Sequence, residues 1–432
     1  MSNIPFENAA QAVAWIDGLR YASEKNGLEN MRALCAALGD PQDRLRCVHV
    51  AGTNGKGSTC ALLERMLRAC GLKTGLYTSP YLMRYNERMR VNGEPIGDGA
   101  LAALAQRVRE RAEALAEAGV RPTWFELGTA LAFLWFAEEK VDVAVIEVGL
   151  GGRLDATNVI TPEICLLGPI GLEHTKQLGD TLEQIAFEKA GIIKPGVPAA
   201  VQRQQTDSVR QVFRRVAWEK GAPLTDLAET PMENLSCHAR GAEFDFRGHH
   251  ARIALAGRHQ ADNACLALAG LDLLRQKGWA LDEARAMDGL SRAVWPARLE
   301  WVDDGTLIDG AHNAHGARAL ADYAREFLAG RRVVCLAGMM KDKDTDACAA
   351  LFASIADAAV ATQIDYQRAL PCEDLAAQLA DHGLPCEAVP DEKTALGRAR
   401  ELAGENGVVL ICGSLYLAGD MRLLLNDDGG RI

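Results

Sequence analysis

Residues 46–59 read RCVHVAGTNGKGST, and this stretch restricts the fold more than any other. Cys47, Val48 and Val50 make a short apolar run expected of a buried strand. Gly52, Gly55 and Gly57 surround Lys56, and Ser58 and Thr59 open an apolar-periodic segment from Ala61 to Cys70. Strand, glycine loop and helix in that order make a phosphate cradle. Glycines let successive N–H groups turn toward one anion, the helix N-terminus adds partial positive charge, and Lys56 can reach the outer phosphates. A hydroxyl at Ser58 or Thr59 is placed to meet Mg²⁺. The stretch departs from GxxxxGK[ST], because Val50 stands where the first glycine should be and Gly57 separates Lys56 from Ser58. The competing reading is a glycine turn that ends a strand, with Lys56 merely solvated.

A chain of 432 residues, 48% hydrophobic, has material for two large cores. Its net charge of -11 argues against nucleic acid or an anionic membrane as partner, since phosphate-backbone binding needs a basic face. Anionic ligands must find local positive charge in a cleft. The 12 cysteines are scattered singly with no CxxC pair, which reads as reduced thiols in a cytoplasmic protein. No apolar run reaches the length of a membrane span, and the opening MSNIPFENAA has no charged-then-apolar signal pattern.

Along the chain, helices are expected over 8–19 and 28–38, a strand over 73–77, and helices over 100–118 and 127–138. Thr123-Trp124-Phe125-Glu126 has capping-box spacing in front of the last of these. Residues 141–148, VDVAVIEV, read as a central buried parallel strand followed by the polar glycine loop GLGGRLDATN, at the strand end where open α/β sheets keep ligands. Further βα alternation follows, with a period-two stretch over 237–255 that predicts a hairpin turning at Arg247-Gly248. SRAVWPAR at 291–298 is the boundary candidate, dividing 1–294 from 295–432. The expected fold is α/β: an N-terminal P-loop-type domain with a mostly parallel sheet, then a smaller Rossmann-like α/β domain.

If the first sheet is parallel, Ser79, Glu147, His174 and Lys189 converge on the phosphate loop. Glu147, ending a β-branched strand beside a nucleotide loop, suits a Walker-B-like Mg²⁺ ligand, against the plainer reading of an acid at a strand edge. His174 alone reads as a structural histidine and Lys189 alone as a solvated helix lysine. In the second half, polar turns at 309–313 (DGAHN), 342–344 and 413–414 follow successive strands, and Arg298 lies at the linker.

In combination the motifs resemble the folylpolyglutamate synthases, including the bifunctional dihydrofolate synthase form, within the Mur-ligase superfamily. They are HVAGTNGKGS at 49–58, TSP at 78–80, ERMRVNG at 87–93, TWFE at 123–126, EVGLGGRLDATN at 147–158, LGDTLEQIAFEKAGIIKPG at 178–196, GRHQADN at 257–263, WPARLE at 295–300, DGAHN at 309–313, KDKD at 341–344 and GSLYLAG at 413–419. The resemblance implies an ATP-dependent amide ligase that phosphorylates a substrate carboxylate and joins it to L-glutamate. It implies ATP contacts at Thr53, Asn54, Gly55, Lys56, Gly57, Ser58, Asn263, Arg298, Asp309 and His312. Ser79, Glu147 and His174 resemble ligands for two Mg²⁺ ions, with a monovalent cation as a further candidate. Lys56, His174 and Lys189 are the implied catalytic groups, Lys189 as a carbamate formed with CO₂. Dihydropteroate or reduced folate is expected against Leu28, Glu29 and Asn30, Thr123, Trp124, Phe125 and Glu126, and Leu154, Asp155 and Ala156; Ser414 is a candidate for glutamate. A monomer is the family expectation.

Glu173, Tyr81 and Ala297 depart from the family pattern, where Asp, His (TSPHL) and Gly (PGR) are common. Three other readings stay open: a folylpolyglutamate synthase without dihydropteroate activity, a ligase of peptidoglycan precursors, and a nucleotide-binding regulator without turnover. Motifs ERMRVNG and TWFE disfavour the second, and joint retention of Lys56, Ser79, Glu147, His174 and Lys189 disfavours the third.

Overall fold

In the computed structural model, which describes residues 5–19 and 27–427, the opening motif folds as its pattern predicts. Cys47–Ala51 is strand β1 and Lys56–Ala69 the helix behind it. The first four residues of MSNIPFENAA lie outside the described residues. β1 is joined by β2 (Thr74–Tyr77), β3 (Met89–Val91), β4 (Glu94–Pro95), β5 (Val143–Glu147), β6 (Ile164–Leu167), β7 (Ala199–Val201) and β8 (Leu224–Asp226) in one sheet, ordered β4-β3-β2-β5-β1-β6-β7-β8. Six neighbouring strands, from β2 to β8 across the order, run parallel; β3 is antiparallel to β2, and β4, antiparallel to β3, returns to the common direction at the edge. β1 and β5 are buried on both faces, which is why neither sequence alternates. In register, Val50 pairs with Glu147, so the acid stands one strand over from the start of the glycine loop.

The chain divides into two compact units, one holding residues up to Glu233 with Asp245–Ala251 and Asp262–Ala293, the other Asn234–Phe244, Arg252–Ala261 and Val294 onward. The period-two stretch over 237–255 holds β10 (Gly241–Phe246) and β11 (His249–Ile253), and a further strand, β9 (Met232–His238), comes largely before it. The expected Arg247-Gly248 turn joins β10 to β11, both residues having positive φ. β9 was not legible because its side chains alternate between exposed and half-buried, without an apolar face.

The second unit carries β12 (Glu300–Trp301), β13 (Thr306–Ile308), β14 (Val333–Ala337), β15 (Ala358–Ala361), β16 (Cys386–Ala388) and β17 (Val408–Cys412), ordered β12-β13-β17-β14-β15-β16. All but β12 are parallel. Its core is small-residue and cysteine rich, with Cys335, Cys348, Cys372 and Cys412 all buried. All 12 cysteines are free thiols. Among the described residues no helix is long and apolar enough to cross a membrane.

Before β5, the helix Trp124–Glu138 ends in a Schellman-type turn: Val141 N–H donates to Phe136 O at 3.2 Å and Lys140 takes φ 52. A lysine in this left-handed conformation carries a steric penalty that glycine avoids, and the side chain here is exposed. Lys140→Gly is therefore expected to stabilise the fold by about 0.5–1 kcal/mol after the entropy gained by the unfolded chain. An upward move of the urea midpoint at constant slope checks this.

Candidate functional site

The glycine loop is fixed from three sides before any ligand arrives. Gly55 has φ 74 and caps the helix Lys56–Ala69; a Cβ there would meet Asn263 Oδ1 at 2.4 Å, so only glycine admits the Asn263 amide against the loop. Gln202 Nε2 donates to Asn263 Oδ1 at 3.0 Å and holds that amide in place. On the second side, Thr53 N–H donates to Pro169 O at 2.8 Å, while its hydroxyl donates to Gly171 O at 3.1 Å and accepts from Gly171 N–H at 3.0 Å. On the third, the Lys189 amine donates to Gly52 O at 2.8 Å.

Lys56 turns back over this loop, its Nζ 3.0 Å from Thr53 O and 4.0 Å from Glu147 Oε1. Glu147 Oε2 accepts from Ser79 N–H at 3.1 Å, which joins the ends of β2 and β5 beside the lysine. In the first turn of the helix that Lys56 opens, the hydroxyls of Ser58 and Thr59 are buried with no hydrogen-bond partner. An orphaned hydroxyl costs free energy unless something fills its lone pairs. His174 has φ 52 and begins the single-turn helix Thr175–Leu178.

Lys189 is buried, and burial, reinforced by the charge of Lys56, lowers its pKa to about 7, with Glu173 and Asp155 pulling the other way. The same balance places Glu173, one of the departures from the family pattern, in the electrostatic environment of Lys189. The helix that carries Lys189, Leu182–Ala190, is drawn close by Gly152: a Cβ there would lie 2.7 Å from Glu188 O and 2.9 Å from Lys189 O. Arg153 seals the contact, its N–H donating to Glu188 O at 2.7 Å and its guanidinium reaching Glu188 Oε1 at 2.8 Å.

Asp155 pins the GLGGRLDATN loop from within. Its Oδ2 accepts from Leu150 N–H at 2.8 Å, and its Oδ1 accepts from Thr157 N–H at 3.1 Å and Thr157 Oγ1 at 2.6 Å. Because the Thr157 hydroxyl donates to Asp155, His49 Nε2–H donates to Thr157 Oγ1, 2.8 Å away. Burial holds the His49 pKa down to about 3, so this histidine of β1 is neutral. Ala156 is buried and Leu154 half-buried.

TWFE forms the capping box its spacing predicts: Thr123 N–H donates to Glu126 Oε2 at 2.7 Å and Glu126 N–H to Thr123 Oγ1 at 3.3 Å. Trp124 and Phe125 remain half-buried, with Phe125 lying against Gly149 and packing on Tyr77 at 6.3 Å. Leu28 precedes the helix Glu29–Ala37, Glu29 is exposed, and Asn30 Nδ2 donates to Arg121 O at 3.1 Å, next to the cap.

The second unit brings together its own predicted residues. Asp309 Oδ2 accepts from Leu299 N–H at 2.9 Å and Oδ1 from Ala311 N–H at 2.8 Å. Burial pushes the Asp309 pKa up, opposed by Arg298. Arg298 donates to Ala297 O at 3.0 Å, and His312 Nδ1–H donates to Gly310 O at 2.8 Å. Ala297 itself has φ 56, so the position calls for the backbone freedom of the glycine that the motif comparison expects there. Ser414 is buried, its Oγ accepting from Tyr416 N–H at 3.1 Å, and Gly413 N–H donates to Ala311 O at 2.9 Å, joining the 309–313 and 413–414 turns. Sequence reasoning passed over Gly168–Gly171, although glycines bracketing a proline after an apolar run were a signal; Gln202 had none.

Two family profiles match the chain: the Mur ligase middle domain over residues 50–271 and the Mur ligase glutamate ligase domain over 297–415. The chain is 37% identical to the dihydrofolate synthase/folylpolyglutamate synthase of Bacillus subtilis, covering 95% of this chain and 97% of that protein. It is 32% identical to the Escherichia coli protein of the same name, covering 94% of each. Among solved structures, the Mycobacterium tuberculosis folylpolyglutamate synthase complexed with ADP matches with a TM-score of 0.89 at 30% identity, over 96% of this chain and 99% of that one. Escherichia coli FolC in complex with DHPP and ADP matches with a TM-score of 0.85 at 30% identity, over 98% of both.

Gly152→Ala is expected to cost about 1–3 kcal/mol, since backbone lies on the far side of the contact and cannot rotate away. A fall in the urea midpoint, with greater protease sensitivity of the segment around Lys189, checks it.

Proposed function

The chain belongs to the Mur ligase family and, within it, to the dihydrofolate synthase/folylpolyglutamate synthases; from that premise we propose that it joins L-glutamate to 7,8-dihydropteroate, forming dihydrofolate, and to reduced folates, forming folylpolyglutamates, at the expense of ATP. The observation that carries this reading is the loop at 52–58, held open as a cradle with Lys56 beside Glu147 and Ser79. The part up to residue 294 serves as the ATP-binding domain and 295–432 as the glutamate ligase domain.

In this reading the γ-phosphoryl group of ATP passes to the substrate carboxylate, giving an acyl phosphate and ADP; the glutamate amine then attacks the carbonyl carbon and phosphate leaves. Two anions meet in the first step, so the loop N–H groups and Lys56 must offset their repulsion. Thr53, Asn54, Gly55, Gly57 and Ser58 surround the phosphates, and Asn263, Arg298, Asp309 and His312 serve the nucleotide. Mg²⁺ would be held by Ser79, Glu147 and His174; a carboxylate and hydroxyls, including the unpartnered Ser58, suit its preference for oxygen. When bound it supplies positive charge to the phosphate oxygens. Among the described residues no group of three or more His, Cys, Asp or Glu is arranged to hold a metal. The pteridine end lies against Trp124 and Phe125, with 28–30 and 154–156 around it, and Ser414 serves glutamate. The protein is expected to work as a monomer in the cytoplasm.

Lys189 enters through the neutral form of its amine. With a pKa near the working pH, a large fraction of it is free to add to CO₂ and lose a proton, which turns a buried cation into a carbamate anion.

The direct test supplies ATP, Mg²⁺, L-glutamate and either dihydropteroate or tetrahydrofolate and weighs the products. Addition of glutamate to both acids is expected; addition to tetrahydrofolate alone leaves a folylpolyglutamate synthase without dihydropteroate activity, and addition to neither contradicts the proposal. Lys189→Ala is expected to lose on the order of 100-fold in kcat with its circular dichroism intact, and near-normal turnover removes the carbamate from the mechanism. Since only the neutral amine takes up CO₂, the gain in rate from added bicarbonate is expected to fade as pH drops below about 7.

A further inference from the structure

The motif ERMRVNG finds no task in the chemistry above, yet it contains the most deeply buried arginine near the proposed pteridine wall. Arg88 is 3% exposed, and its guanidinium carbon lies 5.2 Å from the centroid of Tyr81, 5.2 Å from that of Tyr85 and 5.3 Å from that of Trp124. No carboxylate is paired with it among the described residues, and its Nε has no hydrogen-bond partner. A buried guanidinium without an anion is costly, and three aromatic rings, together with the Tyr77 hydroxyl as a hydrogen-bond partner, are what this one has in exchange. Its carbonyl accepts from Thr78 N–H at 2.9 Å, so the same residue ties down the turn that leads to Ser79.

The neighbouring residues of the motif fasten the same loop. Glu87 accepts from Leu82 N–H at 3.1 Å and from Arg84 N–H at 3.0 Å, and Asn86 Nδ2 donates to Ile96 O at 2.6 Å. From Arg88 the rings continue outward: Tyr81 meets Tyr85 at 5.8 Å, and Trp124 meets Phe125 edge-on at 5.6 Å. Tyr81 and Trp124 come from separate segments of the chain, 43 positions apart, and both are half-buried beside Arg88.

We propose that Arg88 is a positioning residue for the pteridine end of the substrate, its guanidinium clamping Tyr81 and Trp124 into one fixed aromatic wall. The proposal rests on the reading of Trp124 and Phe125 as that wall. It also gives a task to Tyr81, where the family pattern has histidine: tyrosine adds a ring face to the guanidinium that a protonated imidazole would repel.

The test compares Arg88→Met and Arg88→Lys with the parent enzyme, measuring KM for the pteridine acid, KM for ATP, kcat and thermal midpoint. Arg88→Met is expected to raise KM for the acid about tenfold while KM for ATP stays within about twofold. Arg88→Lys, which keeps the cation, is expected to recover part of that loss. If Arg88→Met does not fold, Tyr81→Leu, at a half-exposed position, must raise KM for the acid in the same selective way. An unchanged KM for the acid, or a parallel rise in both KM values, overturns the proposal. Failure of the parent enzyme to extend either acid would instead remove the functional reading beneath it, so the two failures are told apart by the wild-type control.

Discussion

A lysine amine held in the protein interior against the carbonyl of Gly52 is the constraint on which the site depends. A second lysine, Lys56, acts on it electrostatically and opposes its protonation. Two ammonium groups cannot both be buried at one loop without large cost, and the usual outcome is that one gives up its proton. Of the two, Lys189 is the more deeply buried, and burial there, with the charge of Lys56, lowers its pKa to about 7. Everything that brings Lys189 inward follows from this division: the missing side chain at Gly152, the Arg153–Glu188 clamp, and Asp155, which closes the loop on which both stand.

The second unit uses a comparable device on a smaller scale. Asp309 spends both oxygens on backbone N–H groups at Leu299 and Ala311, and so ties the residue after Arg298 to the 309–313 turn. Ala297 and Leu299 both take left-handed backbone there, at φ 56 and 48. Glu300, which accepts from Ala297 N–H at 2.8 Å, helps to hold an alanine where glycine would rest without strain.

Much of this was legible in the sequence because glycine, lysine and β-branched runs report on backbone geometry directly. The strand–loop–helix at 47–69, the buried strand before Glu147, the cap at Thr123 and the Arg247–Gly248 turn all follow from local rules. The rest depends on contacts distant in sequence. EQIAFEKA reads as an ordinary amphipathic helix with a solvated lysine, and only packing against Gly152 buries it. His49 looks like one more strand residue until Thr157, 108 positions away, takes its hydrogen. β3 and β4 are too short to leave a pattern, so ERMRVNG was recognisable as a motif without its hairpin or its aromatic cage being visible.

The most direct measurement of the central claim is carbon-13 NMR of the protein in labelled bicarbonate, followed across pH. One carbamate carbonyl signal is expected, weakening as pH falls below about 7 and absent from Lys189→Ala. No such signal in the folded wild type, or one that persists without Lys189, would contradict the claim.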